Sequence, residues 1–386
     1  NKKVRNYSES NENSLCYIWN SVIEINNKKN YDLELYKNLN TSTIKTNITT
    51  IMDLSNRIIQ LDKKYLVFYD TFPDIENAEC EILKRIEIAC KRINVGFILI
   101  NNKGYIIKHS QYNGIHLNDV SKKNIICVIS LHFHSIKTTN HYTLLALWNP
   151  LTYYSPDDIQ NTKTFDGFLS ADSKIINDYF VDVTKKPIIG ELYTTLSGPL
   201  LNITFGEYKC FYCGINWCRL PNCGHKRTTI LNILKELETN NMVCIYGPKF
   251  LNNIEVWEGY ESYCKKIEFD GVSIIHEIHK CGICLVLSSD EHVESEIVSN
   301  RLFEGLAAGV PIISNKNNFI EKWFGDNIFY ISNDPTTMLD EIKNHIHFFK
   351  IQKSETIEKI QKSREIFMKY FLLHDQLLKI IDQIET

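Results

Sequence analysis

From Tyr65 onward the chain alternates between short unbroken apolar runs and longer stretches in which apolar residues recur every three or four positions. Tyr65-Leu66-Val67-Phe68-Tyr69 reads as a strand buried on both faces. Ala78, Ile82, Ile86, Ala89, Cys90 and Ile93 mark one side of a helix over 77–93, and the runs at 95–100 and 125–131 are further strands. Strands separated by helices predict a parallel α/β layer, here over 61–200. Leu196-Ser-Gly-Pro-Leu200 is a linker signal, and beyond it the alternation starts afresh. Strands at 208–213, 242–246, 283–287 and 311–314, with helices at 228–237, 272–281 and 299–308, predict a second layer over 201–345. The tail, 346–386, carries Ile366, Tyr370, Leu373, Leu377, Ile380 and Ile384 at alternating spacings of four and three, a helix docked on the body. Residues 1–60 are polar, a partly helical or loosely ordered lead-in.

The prediction is therefore an α/β protein of two Rossmann-like domains facing a cleft, with a helical C-terminal extension and ligands at the carboxyl ends of the strands. Composition narrows the partners. Among 386 residues, 43 Lys and Arg against 46 Asp and Glu give a net charge of -3, which offers no global attraction for nucleic acid or anionic membrane. No run approaches the roughly 18 apolar residues of a transmembrane segment, and twelve scattered cysteines without a signal peptide point to a reducing, cytoplasmic setting. The 38 Asn and 53 Ile are the bias of an AT-rich genome, such as that of a parasite or a large DNA virus. A start at Asn1 reads as a piece of a longer chain. No Gly-x-Gly-x-x-Gly follows a strand, which disfavours an NAD-linked enzyme.

The chemistry concentrates in 288–314. A buried strand ends at Ser288, a polar loop follows, Ser299 or Asn300 caps a helix, and Gly309 ends it before a new strand. That helix would point its free N–H groups into the cleft, an anion site suited to a diphosphate. Leu302, Phe303, Leu306 and Ala307 would cover the sheet, leaving Arg301 and Glu304 turned away from it, with Glu304 able to accept from a pair of ribose hydroxyls. The plainer alternative is a solvated Arg301–Glu304 pair at i,i+3 worth a few tenths of a kcal/mol.

Glu296 and Glu304 form Glu-x7-Glu, followed by Gly-Leu-Ala-Ala-Gly-Val-Pro-Ile-Ile-Ser. This resembles the nucleotide-sugar site of GT-B glycosyltransferases of the group 1, family 4-like kind. The variant Ser299-Asn-Arg-Leu-Phe-Glu304 is similar to the Ser-x-Arg-x-Phe-Glu form of the CgeB-like subgroup. The resemblance implies that Glu304 binds the ribose and Glu296 the sugar hydroxyls, that the donor is a nucleotide sugar with UDP ahead of GDP, that no metal cofactor is required, and that configuration is retained. It further implies that a Gly after the first strand of this domain, with an Arg and a Lys, holds the diphosphate. In Gly214-Ile-Asn216-Trp-Cys-Arg219 and the following Lys226-Arg227, the matches are Gly214, Arg219 and Lys226, with Arg227 an equal choice for the second cation and Asn216 beside them. Tyr246-Gly247 would bracket the base. In the first domain a His near the reacting carbon is implied, and His132 or His134, after a buried strand, would serve. Trp148 and Asn149 read either as an aromatic platform for a glycan or protein acceptor or, equally, as part of the core.

A rival signal sits in the same segment. Cys210, Cys213, Cys218 and Cys223 have the spacing of a zinc knuckle, which would make a nucleic-acid or protein-binding module. Cys210 and Cys213, three apart on a strand, should however point to opposite faces. A catalytically silent sugar-nucleotide binder is the other alternative.

Overall fold

The computed structural model describes residues 58–73, 77–221 and 228–386. Most of the polar lead-in, together with Cys223, Lys226 and Arg227, lies outside the described residues.

The first domain comprises β1 (Tyr65–Tyr69), α1 (Ala78–Arg92), β2 (Gly96–Ile100), β3 (Ile106–Lys108), β4 (Ile125–Ser130), β5 (Thr143–Leu147), α2 (Pro156–Thr162), β6 (Gly167–Ser170), α3 (Lys174–Thr184) and β7 (Ile188–Glu191). The strands order as β3-β2-β1-β4-β5-β6-β7. All neighbours are parallel except β2 and β3. Asn77 caps α1 by accepting from the N–H of Cys80, and Glu79 and Glu81 in the first turn suit the positive helix end.

The second domain comprises β8 (Lys209–Cys213), α4 (Thr228–Thr239), β9 (Val243–Tyr246), the small hairpin β10 (Phe250–Leu251) and β11 (Ile254–Glu255), β12 (Tyr263–Lys265), α5 (Ser273–Cys281), β13 (Gly282–Val286), α6 (Asp290–Glu294), α7 (Arg301–Ala308), β14 (Ile312–Asn315), α8 (Asn318–Phe324), β15 (Phe329–Ile331) and α9 (Pro335–Ile351). Its sheet runs β12-β9-β8-β13-β14-β15, wholly parallel. Each sheet therefore reverses its winding once, between β1 and β4 and between β8 and β13. Those are the places where an open α/β sheet leaves a crevice for a ligand.

The tail departs from the single stripe read from the sequence. It folds as α10 (Lys353–Tyr370) and α11 (Leu373–Glu385), broken at Phe371 and Leu372. Phe367 and Phe371 pack in the second-domain core beside Phe303, whereas Leu373, Leu377, Ile380 and Ile381 enter the first-domain core beside Ile86 and Ala89. Tyr370, placed on the stripe by spacing, is exposed. The last helix thus crosses back and completes the domain at the other end of the chain.

The carboxyl ends of the two sheets face one another. Residues just past β5, β6 and β7 reach the second domain. Trp148 packs against both cores, Asp172 accepts from Lys322 Nζ at 2.7 Å and Trp323 Nε1 at 2.8 Å, and Tyr193 packs with Phe303 and Phe319. In return Ile297, from the loop after α6, is buried among Leu145, Leu147, Tyr154 and Phe168 of the first domain, a burial worth about 1.5–3 kcal/mol.

Candidate functional site

At the reversal of the second sheet, Gly214 follows β8 and its N–H donates to the Tyr246 carbonyl at 3.1 Å. Gly247, past β9, has φ +145°, and a Cβ there would lie 2.1 Å from the Gly214 carbonyl oxygen. Only glycine lets these two strand ends approach so closely. Three buried polar atoms around them have no partner among the described residues, namely Asn216 Oδ1, Trp257 Nε1 and, after β13, Ser288 Oγ. Unmet hydrogen-bonding groups at the carboxyl end of a parallel sheet are what a polar ligand would satisfy. Trp257 and Ser288 carried no motif that would single them out in the sequence.

The Glu-x7-Glu segment lies beside this crevice. Glu296 adopts φ +56°, the left-handed region, where a residue with a side chain is held at a cost of order 1 kcal/mol or more. Its carboxylate accepts from Asn318 Nδ2 at 2.9 Å. Helix α7 starts at Arg301 because Asn300 takes the N-cap, though with no side-chain capping bond. Ser299 Oγ instead accepts from the Arg301 N–H at 3.3 Å.

Glu304 is not turned to open solvent. It is fully buried, and Arg85 Nη2 from α1 of the first domain donates to its Oε1 at 2.6 Å. Asn300 Nδ2 donates to the same oxygen at 3.3 Å, and Arg301 pairs with Oε2. The solvated i,i+3 pair of the plainer sequence reading is therefore present as a contact and absent as an exposed one. Burial alone would raise the Glu304 carboxyl, but Arg301 and Arg85 more than offset it and hold it below its ordinary value. Arg301 lies over the Phe211 ring at 5.3 Å, a cation–π contact. Arg85 also pairs with Glu81 at 2.8 Å, and both bind the backbone of Gly271, through Arg85 Nε to its carbonyl at 3.3 Å and Glu81 Oε2 from its N–H at 3.0 Å. Burial pushes the Glu81 carboxyl up despite Arg85.

On the first-domain side, the loop after β4 gathers aromatic rings. His132 stacks on Phe133 at 4.5 Å and meets Phe72 edge-on at 4.9 Å, and burial with His134 nearby depresses its pKa to about 4, so it is a neutral imidazole at pH 7. His134 is half exposed, and its Nδ1 lies 2.7 Å from Asp158 Oδ1. Asp158 is fixed in turn by Ser155, with which it forms the capping box of α2. Burial would raise the Asp158 carboxyl, but the bonds from His134 and Ser155 hold it low. The ring is thereby oriented with Nε2 free of that bond, a geometry suited to holding or moving a proton. Across the seam, Tyr153 meets His292 of α6 edge-on at 6.0 Å.

Glu79 sits nearby at the amino end of α1, with Oε1 accepting from the Thr71 N–H at 3.3 Å and Oε2 buried with no partner among the described residues. Burial raises its pKa to about 7, against the bonds from Thr71. Because the folded pKa exceeds the unfolded one, the associated stability is full below about pH 4.5 and is lost as pH rises through 7. Glu79→Gln is therefore expected to match wild type near pH 4 and to exceed it by about 2–3 kcal/mol at pH 8. Urea unfolding at the two pH values checks this, and equal stabilities at pH 8 would refute it.

Other sequence candidates take different places. Arg219 pairs with Glu258 and is partly exposed. The Tyr246 ring is buried, stacking on Phe211 at 4.9 Å and donating to Glu277 at 3.0 Å, so only its backbone borders the crevice. Trp148 Nε1 donates to the Leu192 carbonyl at 2.5 Å, and its half-buried ring packs against both cores at the interdomain seam. Asn149 beside it is half-buried. Cys210 faces the core that holds Leu234 and Ile283, whereas Cys213 packs on the opposite side of the sheet, so one ion cannot bind both. Among the described residues no group of three or more His, Cys, Asp or Glu side chains is placed to hold a metal ion, and no helix is long and apolar enough to cross a membrane.

Known structures share this arrangement. HepE from Anabaena, solved with UDP-glucose, superposes with a TM-score of 0.53 at 10% identity over 83% of this chain and 98% of its own. An alpha-glucosyltransferase solved with UDP and a DNA 13-mer containing an HMU base gives 0.54 at 7% identity over 84% and 100%. Sucrose-phosphate synthase from Thermosynechococcus elongatus gives 0.52 at 8% identity over 84% and 99%. The fold is that of the GT-B glycosyltransferases. At such identities the likeness speaks for the fold alone. Residues 227–382, less than half of the chain, match the family model described as glycosyl transferase-like. No curated protein matches the sequence. Helix α1 docks on the second domain through Glu81 and Arg85, a contact that sequence reasoning missed. The available signal was a Glu–Arg pair at i,i+4 flanking the apolar stripe of α1.

Proposed function

We propose that this chain is a glycosyltransferase that moves a sugar from a nucleoside diphosphate, UDP by preference, to a glycan, protein or other acceptor. The observation that carries the reading is the seating of α7 at the reversal of the second sheet, where Arg301 lies over the Phe211 ring of β8. The match of the same segment to a glycosyl transferase-like family model supports it. In this reading Glu304 accepts from the ribose hydroxyls and Glu296 from the sugar. Gly214, Asn216 and the amino end of α7 receive the diphosphate, with Arg219 and Lys226 or Arg227 offsetting its charge in place of a metal. The backbone at Tyr246 and Gly247 borders the base. His134, oriented by Asp158, faces the reacting groups from the first domain. The Ser-x-Arg-x-Phe-Glu form favours the CgeB-like subgroup, and the Glu-x7-Glu resemblance favours retention of configuration.

The test is a thermal-shift panel of UDP, GDP, dTDP and CMP with their common sugar conjugates. One nucleotide at 100 times its dissociation constant should add about 2.7 kcal/mol of stability, a rise of several degrees. Stabilisation selective for UDP supports the reading. No response to any nucleotide, from protein that melts cooperatively, would overturn it.

A further inference from the structure

The two halves of the charged cluster belong to different domains, and each half is already neutral. Glu81 and Arg85 pair at 2.8 Å at i,i+4 on α1, and Arg301 pairs with Glu304 at i,i+3 on α7. The bond that joins the halves is Arg85 Nη2 to Glu304 Oε1 at 2.6 Å, between side chains with 1% and 0% exposure. Two bonds to the Gly271 backbone complete the contact.

A buried ion pair is costly to break when one partner is removed, because the other charge is stranded. Withdrawal of α1 from α7 strands no charge of this cluster. Arg85 leaves with Glu81, Glu304 stays with Arg301, and the Gly271 backbone groups pass to water. The cluster thus orders the seam while docked and adds no stranded charge to the work of opening it. Meanwhile both oxygens of Glu304 are taken, so no ribose can reach this carboxylate while α1 is docked.

We propose that Arg85 is an internal competitor of the donor: it occupies Glu304 in the absence of nucleotide, and donor entry requires α1 to withdraw from α7. This rests on the nucleotide-sugar reading above. Arg85 Nη1, buried and without a partner among the described residues, marks the guanidinium as incompletely satisfied in the docked state.

Calorimetric titration of the full chain with UDP tests the proposal in two ways. Arg85→Met removes the competitor. If nine-tenths of the wild type is latched, apparent UDP affinity should rise about tenfold. The second variant locks the contact. A Cβ at Gly271 would lie 3.5 Å from the Lys84 Cβ, within the range of about 3.5–4.5 Å that a disulfide spans. Lys84→Cys with Gly271→Cys, its cross-link verified by peptide mass mapping, should lose UDP binding when oxidised and regain it on reduction. The reduced form carries the same strain at φ +90° and is its own control. This arm stands even if Arg85→Met fails to fold.

UDP binding to wild type that Arg85→Met leaves unchanged or weakens, or that persists in the cross-linked protein, overturns the latch and leaves the nucleotide reading intact. Absence of UDP binding from every folded form removes both.

Discussion

Replacing Glu304 by alanine should cost the protein both its fold stability and its nucleotide. The sequence view of this residue as an open ligand implied that the change would leave the core untouched. The buried position alters that expectation, since two guanidinium groups, Arg85 and Arg301, would lose their shared carboxylate in the interior. The expected loss is about 3–5 kcal/mol, the range for stranding a buried charge. Urea unfolding measures it, and a loss below about 1 kcal/mol would show that the cluster is wetter than its geometry. The pH dependence follows from the same pairing. Glu304 is held below its ordinary value of 4.5, so its contribution is present above the unfolded pKa and is lost as pH falls through the lower folded one. Wild type should therefore lose this stability in acid, and Glu304→Ala, having none to lose, should show a shallower acid slope. The isosteric Glu304→Gln separates the second effect. It keeps the volume, and in an Arg85→Met background, where no latch competes, it is expected to weaken UDP binding at least about tenfold relative to Arg85→Met alone, because a charge-assisted bond to hydroxyls becomes a neutral one.

The second large effect is expected at His134. Its Nδ1 is committed to Asp158, so the free Nε2 is the only polar atom of the ring left to act. His134→Ala should lower turnover of UDP-sugar, followed as UDP release, by about 10²–10⁴-fold. UDP affinity should be unchanged, because the proposed nucleotide site lies on the other domain. Asp158→Asn should give a smaller loss of turnover together with reduced stability, since Asp158 also caps α2 through Ser155. Full turnover by His134→Ala would dismiss this residue and move attention to His132, which its burial keeps neutral.

The parts of the fold that were legible in the sequence are those whose burial is local and complete. The strands β1, β4 and β13 are buried at every position, and each shows as an unbroken apolar run. The edge strands β3, Ile-Ile-Lys, and β12, Tyr-Cys-Lys, are three residues each, too short to stand out, and β12 is exposed at two of its three positions. The break between α10 and α11 was hidden because the apolar spacing continues through it while the core being served changes from one domain to the other. At the candidate site, Gly214 and Asn216 follow β8 and Glu296 and Ser299 precede α7, each pair within one short stretch whose pattern is legible locally. The environment of Glu304 could not be read that way. Its partner Arg85 lies 219 residues earlier, in a helix whose pattern says only which side is apolar. An aromatic residue past a strand end, such as Trp148, looks the same from sequence whether it meets a ligand or a neighbouring domain, and here the ring packs against both cores.

The return of α11 to the first domain means that the chain crosses between the domains twice, and the crossings run side by side. The Leu373 N–H donates to the Leu196 carbonyl at 3.1 Å, the His374 N–H to Ser197 Oγ at 3.0 Å, and Thr195 Oγ1 to the Phe371 carbonyl at 2.9 Å. A body on a single tether can tumble, but one held by two stitched strands can only swing. The docking of α1 on α7 is then the far edge of a door whose axis is this two-ply seam, and each closure returns the same residues to the same partners.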